Sequence, residues 1–457
     1  MNTTTTPRRF MLGLLLACFM ALLLSCGGGG GGGGGGGSVA GAGIGAGAAG
    51  SGAGDASAGT GTGTGGDTGT AGSGGAGDAG GGSGDTASNG NTDGSGVGSG
   101  GTGATAAAAG VGTADGLGSI ILNGLRYNTD TAAITVEDAP ELQIGMTARV
   151  AGKVDPDFTS GIAAQVVSAA ELRGAVSSID VAGGSFVLMG ISVSIDAATV
   201  WADASGLASV VDGSLVQVWG LPGAPGTLRA TRVQISPTLT DPLVTGSVQN
   251  LDAARKTFNL GQLTVNYGAA SLAGIDPSAL ANGVIVRARG NAAPVARVFG
   301  AAKVEGWYAI PLSEGTAVQV AGVITDFSSR GAFDVLGTPV DATNSLINGG
   351  PVTTLGNGVK VEVDGFMSGG VLVAKKLRIR NVPGTGGPAS FTLIGAIGTY
   401  HSPADFRVRG QPVNASGPST VFENGTVANL GDGQRVTIVG DRVVDGVLIA
   451  QKVTFNP

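Results

Sequence analysis

The amino-acid sequence predicts an all-β fold, in which about five small five-stranded barrels follow a disordered, glycine-rich tether. Three observations predict it: an apolar N-terminal run that ends at a cysteine, a long segment without aromatic residues, and one glycine-bounded pattern that recurs five times. Within the repeats, short runs of alternating polar and apolar residues are bounded by glycine, asparagine and aspartate. That arrangement is typical of hairpins.

Residues 1–25 have the layout of an export signal. Arg8 and Arg9 precede an apolar run over residues 10–24. The run is shorter than the roughly 20 residues that a membrane-spanning helix needs, but it has the length of a signal-peptide core.

The apolar run ends in Leu23-Leu24-Ser25-Cys26, which resembles the lipobox of bacterial lipoproteins. The resemblance implies cleavage before Cys26 and a lipid on its thiol. Cys18, after Leu16-Ala17, is a second lipobox-like site with a much shorter apolar run. Gly27 stands where an aspartate would favour the inner membrane, so the resemblance implies the outer membrane.

Residues 26–116 form the predicted tether, which consists of the lipidated cysteine and then mostly Gly, Ala, Ser, Thr and Asp. Such a segment buries too little apolar surface to offset the entropy of ordering. As a flexible coil it would span roughly 50 Å. The lipid bilayer, reached through Cys26, is therefore the first predicted partner.

Composition argues against several classes of function. The chain has 25 basic and 32 acidic residues and a net charge of −7. Nucleic-acid binding needs clustered Lys and Arg, so we expect none. One histidine, His401, and two cysteines cannot supply a conventional zinc site. We expect neither a metal nor a cofactor.

The pattern G-x-x-φ-x-φ-x-G, in which φ is Val, Ile or Ala, defines the repeats. It begins at five glycines separated by 68, 70, 75 and 75 residues. A recurrence at such even spacing predicts a tandem-repeat protein. The glycines are Gly145, Gly213, Gly283, Gly358 and Gly433.

Each copy predicts an opening strand, a hairpin around a glycine turn, a linking segment, the pattern strand and a closing strand. Five strands in this order suggest an OB-like barrel, and an open five-stranded sheet packed on its neighbour is the alternative. Short connections predict that neighbouring units touch, as in a rod. The predicted repeats are 117–171 (a short copy), 172–240, 241–313, 314–386 and 387–457.

The closing strand follows a second pattern, G-x-L-x-A-x-x-V, as in Gly226-Thr-Leu-Arg-Ala-Thr-Arg-Val233. Together the two patterns resemble the repeats of family 5666 of the domains of unknown function, over roughly residues 117–457. That family has no assigned activity, so the resemblance implies fold and location only.

Two groups of residues are candidates for ligand binding. Trp201 and Trp219 are the first group, and Trp219 falls on the outward phase of its strand because it alternates with Val216 and Val218. Its position is equally consistent with capping a junction between units. The second group is the basic strand made of Lys375, Lys376, Arg378 and Arg380.

Framework glycines and valines recur in every copy, but no reactive residue does, which argues against an enzyme. Aspartate pairs such as Asp326 and Asp334 lie in or beside predicted turns, where aspartate caps the backbone. We therefore expect a lipid-anchored, non-catalytic envelope protein that serves as scaffold or partner-binding array. The alternative is an OB-like array that binds glycans or peptides.

Overall fold

The computed structural model describes residues 106–457, apart from residues 237, 239 and 388. This part of the chain is all-β and consists of five repeated units, as the sequence predicts. Its helical content is limited to single 3₁₀ turns, and none of its helices is long and apolar enough to cross a membrane.

Units 1 and 2 each contain six strands. Unit 1 consists of β1 (Ala106–Leu117), β2 (Ile120–Leu122), β3 (Leu125–Asn128), β4 (Ala133–Val136), β5 (Thr147–Val154) and β6 (Gly161–Ser168). Unit 2 consists of β7 (Leu172–Asp180), β8 (Ser185–Leu188), β9 (Ile191–Ser194), β10 (Val200–Trp201), β11 (Leu215–Pro222) and β12 (Thr227–Ile235).

Unit 3 has the same order, but its opening and closing strands are each interrupted. Its strands are β13 (Leu243–Ser247), β14 (Gln249–Asp252), β15 (Thr257–Leu260), β16 (Leu263–Asn266), β17 (Ser271–Ala273), β18 (Ile285–Arg289), β19 (Val298–Gly300) and β20 (Lys303–Gly306).

Units 4 and 5 repeat the six-strand order without interruption. Unit 4 consists of β21 (Ala317–Ser329), β22 (Ala332–Val335), β23 (Thr338–Asp341), β24 (Leu346–Asn348), β25 (Lys360–Ser368) and β26 (Val371–Asn381). Unit 5 consists of β27 (Phe391–Ser402), β28 (Asp405–Val408), β29 (Gln411–Asn414), β30 (Val421–Glu423), β31 (Arg435–Val444) and β32 (Val447–Phe455). One 3₁₀ turn follows the fourth strand in units 2 to 5: Leu207–Ser209, Pro277–Ala279, Val352–Thr354 and Val427–Asn429.

In units 1, 2, 4 and 5, five strands form a closed sheet, whereas the interrupted strands of unit 3 are divided between two sheets. In unit 5, β27 pairs with β28, β28 with β29, β29 with β32 in parallel, β32 with β31, and β31 with β27 again. The short fourth strand, β30, pairs in parallel with β32. Because the sheet closes on itself, the alternative of an open sheet is wrong.

The first glycine of the repeated pattern is required by its backbone conformation. In all five copies φ lies between +83° and +90°, as in Gly433 and Gly283, a region that favours glycine. In each copy its amide donates to a carbonyl of the opening strand at 2.8–2.9 Å, as Gly433 does to Ile397. The glycine thus turns the chain into the pattern strand.

The last glycine of the pattern is required by close approach. In units 1, 2, 4 and 5 a β-bulge falls there, for example between Val439 and Gly440. A Cβ on Gly440 would collide with the carbonyl oxygen of Ile449 on the closing strand. The bulge bends both strands, which helps so small a sheet to close.

Strand β1 begins much earlier than the sequence predicts. Residues 106–116 were expected in the tether, and that expectation is wrong because they form most of the opening strand of unit 1. The strand lies between β5 and β21, and Ala109 and Val111 are almost fully buried. Larger side chains would not fit, since a Cβ on Gly112 would overlap the side chain of Asn123.

The units do not form a rod. Strand β1 pairs in parallel with β21 of unit 4 and with β27 of unit 5, and β7 of unit 2 pairs with β13 of unit 3. Unit 5 also reaches unit 2, where the amide of Gly446 donates to the carbonyl of Trp201 at 2.9 Å. Contacts therefore extend beyond chain neighbours, and small units gain buried surface at each junction.

We expect Gly440→Ala to destabilise the protein by about 1–3 kcal/mol, because the added methyl group must displace the closing strand. Gly398→Ala is the matched control in the same unit, since a Cβ there meets open space. Urea unfolding of the full-length variants checks the difference. Equal midpoints for the two variants would contradict the role assigned to the bulge.

Candidate functional site: the polar junctions between the units

Glu171 is the centre of a buried ionic junction between units 1, 2 and 3. It lies in the short linker before β7, and its side chain is fully buried. Its carboxylate accepts hydrogen bonds from Thr147 Oγ1 of unit 1 at 2.9 Å and from Trp307 Nε1, just after unit 3, at 2.7 Å. Arg287 of β18 adds an ion pair at 3.1 Å. One acid therefore joins three units.

Arg287 is held in place from two sides. Its Nε donates to the carbonyl oxygen of Ala170 at 2.9 Å, and its guanidinium lies 5.2 Å from the ring centre of Tyr308. Burial is the largest effect and would lower the pKa of Arg287, but the charges of Glu171, Tyr308 and Glu305 and the hydrogen bond to Glu171 together raise that pKa. Burial also raises the pKa of Glu171, and the charge of Arg287 and the hydrogen bonds from Trp307 and Thr147 oppose that shift. The donors and acceptors of the pair are used between units.

Asp138 forms a second ionic contact at the same junction. It follows β4 of unit 1 and pairs with Arg173 of unit 2 at 2.5 Å and with Arg289 of unit 3 at 2.9 Å. Burial alone would raise the pKa of Asp138, but the hydrogen bonds and charge of Arg289, with Arg173 and the amide of Ala170, lower it to about 2. Gln217 completes the contact, because its Nε2 donates to the carbonyl of Asp138 at 2.8 Å.

The basic strand of unit 4 does not present a free cationic face. Arg378 and Arg380 pair with Glu362 of the adjacent strand at 2.6 and 2.9 Å. Lys375 pairs with Asp157 of unit 1 at 2.6 Å, and Lys376 donates to the carbonyl oxygen of the same residue. Lys375 and Lys376 therefore contact unit 1, and Arg378 and Arg380 pair within unit 4, which argues against the ligand-binding role predicted for this strand.

Two acidic residues at the junction of units 1 and 4, Asp115 and Asp364, have raised pKa values and are partly protonated near neutral pH. Burial raises the pKa of Asp115, in β1, to about 7, and the charge of Glu362 adds to the effect while Arg380 opposes it. Burial likewise raises the pKa of Asp364, in β25, to about 6. The junction therefore holds carboxyl groups that become charged only near neutral pH.

The two tryptophans proposed as ligand platforms are both buried, so that hypothesis is wrong. Trp219 points out of unit 2 but is fully covered, among Met146, Ala170 and Leu243 of the linkers and adjoining units. Trp201 is 6% exposed and belongs to the core that units 2 and 3 share. An outward phase on a strand indicates a ligand face only where no neighbouring unit covers it.

Asp326 and Asp334 lie close together, and burial followed by the charge of Asp326 raises the pKa of Asp334. His401 is exposed on β27, and Asp155 caps its own turn by accepting from the amide and hydroxyl of Thr159. No group of three or more metal-ligating side chains occurs in the described part of the chain. Cys26 lies outside the described residues.

Sequence reasoning missed Glu171 and Asp138, which carry the junction of units 1, 2 and 3. Glu171 could have been noticed, because it is a single acid in the run Val166-Val-Ser-Ala-Ala-Glu-Leu172. Arg287 and Arg289 alternate along β18, which puts both on the outer face, where a neighbouring unit could supply the acids.

We expect Glu171→Gln to destabilise the protein by about 3–5 kcal/mol, because it removes the closest counter-ion of the buried Arg287 and leaves only Glu305, at 3.9 Å. Glu423→Gln is the control, since the ion pair of Glu423 with Lys452 is solvent-exposed. Water screens such an exposed pair, so it adds little to stability. Urea unfolding at pH 7 compares the two variants. Equal losses of unfolding free energy would contradict the role assigned to Glu171.

A second prediction concerns pH. The pKa of Asp115 is higher in the folded chain, about 7, than its usual value of 3.8. Its contribution to stability is therefore full below about pH 4 and is lost as the pH rises towards 7. Asp115→Asn should make the protein more stable than wild type at pH 8, and the difference should shrink by pH 4.

Unfolding free energies at pH 4, 6 and 8 check this expectation. Asp130→Asn, in an exposed turn, is the control and should change stability by less than about 0.5 kcal/mol throughout. A loss of stability in Asp115→Asn at pH 8 would mean that the carboxylate is needed in its charged form.

Three segments match the family described as "Domain of unknown function (DUF5666)": residues 173–234, 321–378 and 395–454. They coincide with units 2, 4 and 5, the copies in which both sequence patterns are complete. No curated protein and no solved structure matches the chain. The family resemblance that the two patterns predict is confirmed for these three segments.

Proposed function

We propose that the chain is a lipid-anchored, non-catalytic scaffold of the cell envelope. The supporting observation is how its charged side chains are used. Glu171, Asp138 and Arg287 join units 1 to 3, and Lys375 and Lys376 join units 1 and 4. Residues that could serve a ligand instead serve the assembly of the units.

We also propose that each unit is an OB-like barrel. The support is the strand order: five strands close the sheet, and the third and last run parallel, as β29 and β32 do. A five-stranded Greek-key barrel of this kind has two faces and several loops for binding. Some of these surfaces contact other units, as β1 does with β21 and β27.

The anchor in this proposal is the acylated Cys26, and the location is the outer membrane. Two or three acyl chains give stable anchoring where one does not, because each buried CH₂ contributes about 0.8 kcal/mol. The glycine-rich residues between Cys26 and unit 1 then set how far the folded units reach from the bilayer. The partner is an envelope protein or glycan at that distance.

The anchor is tested by Cys26→Ser. We expect the variant to remain an uncleaved precursor that takes up no labelled palmitate, whereas the wild type is labelled and fractionates with the outer membrane. Cys18→Ser is the matched control and should behave as wild type. Normal labelling of Cys26→Ser would contradict the anchor, and loss of labelling only in Cys18→Ser would move it to Cys18.

The non-catalytic part of the proposal is tested on the purified wild type. Ester, glycoside and phosphoester substrates should be hydrolysed no faster than in buffer. A rate that increases with protein concentration and is lost on unfolding would contradict a pure scaffold.

A further inference from the structure

A cleft of about 260 Å³ lies where units 1, 2 and 5 meet. Three arginines line it: Arg232 on β12, and Arg407 and Arg409 from the hairpin of β28 and β29. Glu141 of unit 1 and Asp445 of unit 5 also line it. The arginines take no part in the ionic junction around Glu171.

Arg232 is a buried cation without an ionic partner. It is only 5% exposed, and no carboxylate of the described residues lies within 4.0 Å of its guanidinium nitrogens. Two of those nitrogens donate to neutral acceptors, the carbonyl oxygen of Ile144 at 3.0 Å and the side chain of Gln143. Its Nε is buried and has no hydrogen-bond partner in the described part of the chain.

A buried charge of this kind is costly unless it is paired. Burial lowers the pKa of Arg232 to about 10, and the charge of the exposed Asp203 offsets only part of that effect. The contrast with Arg287 is direct, since Arg287 is equally buried but pairs with Glu171. The Nε of Arg232 is therefore available to donate a hydrogen bond to a bound anion.

Arg407 and Arg409 bring two more cations to the same cleft. Arg407 donates to the carbonyl oxygen of Gly410 at 2.8 Å, and the Nε of Arg409 donates to that of Ile394 at 3.3 Å. Both side chains are exposed, and among the described residues neither has a carboxylate within 4.0 Å. Three arginines thus share one cleft while their closest partners are neutral.

We propose that this cleft binds a small sugar that carries an acidic group, either a uronate or a sugar phosphate. Arg232, Arg407 and Arg409 would hold the anionic group, because guanidinium groups bind carboxylates and phosphates through paired hydrogen bonds. Glu141 and Asp445 would accept hydrogen bonds from the sugar hydroxyls. A bare inorganic anion gains nothing from the two acids, which is why we favour a hydroxylated ligand.

The size of the cleft supports a ligand of this class. Pockets for drug-sized molecules have volumes of about 300–1,000 Å³, so a cleft of 260 Å³ suits one sugar residue. The site goes beyond the scaffold role and does not depend on it, since Glu171 and the basic strand lie at other junctions.

Isothermal titration of the full-length chain in detergent micelles tests the proposal. Glucuronate and glucose 6-phosphate are the two probes, and glucose is the neutral control. We expect saturable binding of at least one acidic sugar and none of glucose. The double variant R407Q/R409Q changes only exposed side chains and should weaken that binding by about tenfold or more.

Arg255→Gln is the matched control, because Arg255 is exposed on unit 3 and does not line the cleft. It should bind as wild type does. Binding of glucuronate alone would identify a carboxylate ligand, and binding of glucose 6-phosphate alone a phosphate ligand. The proposal is overturned if neither probe binds up to about 10 mM, or if R407Q/R409Q binds as tightly as wild type.

A thermal-shift measurement guards against a misfolded variant. The acidic sugar that binds should raise the melting temperature of wild type and of Arg255→Gln, but not that of R407Q/R409Q. An equal rise in the double variant would place the binding outside the cleft.

Discussion

The arrangement of the units depends on one strand that three of them share. β1 pairs with β5 and β2 inside unit 1, and its outer positions pair with β21 of unit 4 and β27 of unit 5. Such close pairing is possible only because β1 carries alanine and glycine where other opening strands carry larger residues. Glu171 and Asp138 add charged contacts between units 1, 2 and 3. Backbone pairing brings the units together, and buried charges make the arrangement specific.

The repeated fold could be predicted from the sequence because its constraints are local. Gly433 needs a left-handed backbone and Gly440 needs close approach to Ile449, and both requirements recur at the same place in other copies. The contacts between units could not be predicted in this way, since they are not repeated. Small residues in β1 have the composition of the tether, and nothing local distinguishes a solvated alanine from Ala109 packed between strands.

The candidate sites were harder to predict than the fold for the same reason. Trp219 and Lys375 occupy outward positions, and the sequence correctly places them outside the sheet core, but it does not contain the unit that covers them. Conversely, Arg232 has the same place in its closing strand as Lys376 and Lys452, yet only its own surroundings leave it buried without an acid. In a protein of fused repeats, equivalent residues differ in role according to the neighbour they meet.

The sharing of β1 also bears on how the chain folds. β1 is synthesised before its partners in the other units, and the residues of β21 that pair with it follow about 200 residues later in the chain. Until unit 4 arrives, one edge of β1 lacks its final partner, and an open edge of small residues can pair with another chain. Unit 1 is synthesised first, but it acquires its last strand pairings only after units 4 and 5 have been synthesised. Folding of the whole assembly is tied to completion of the chain rather than to the successive release of independent domains.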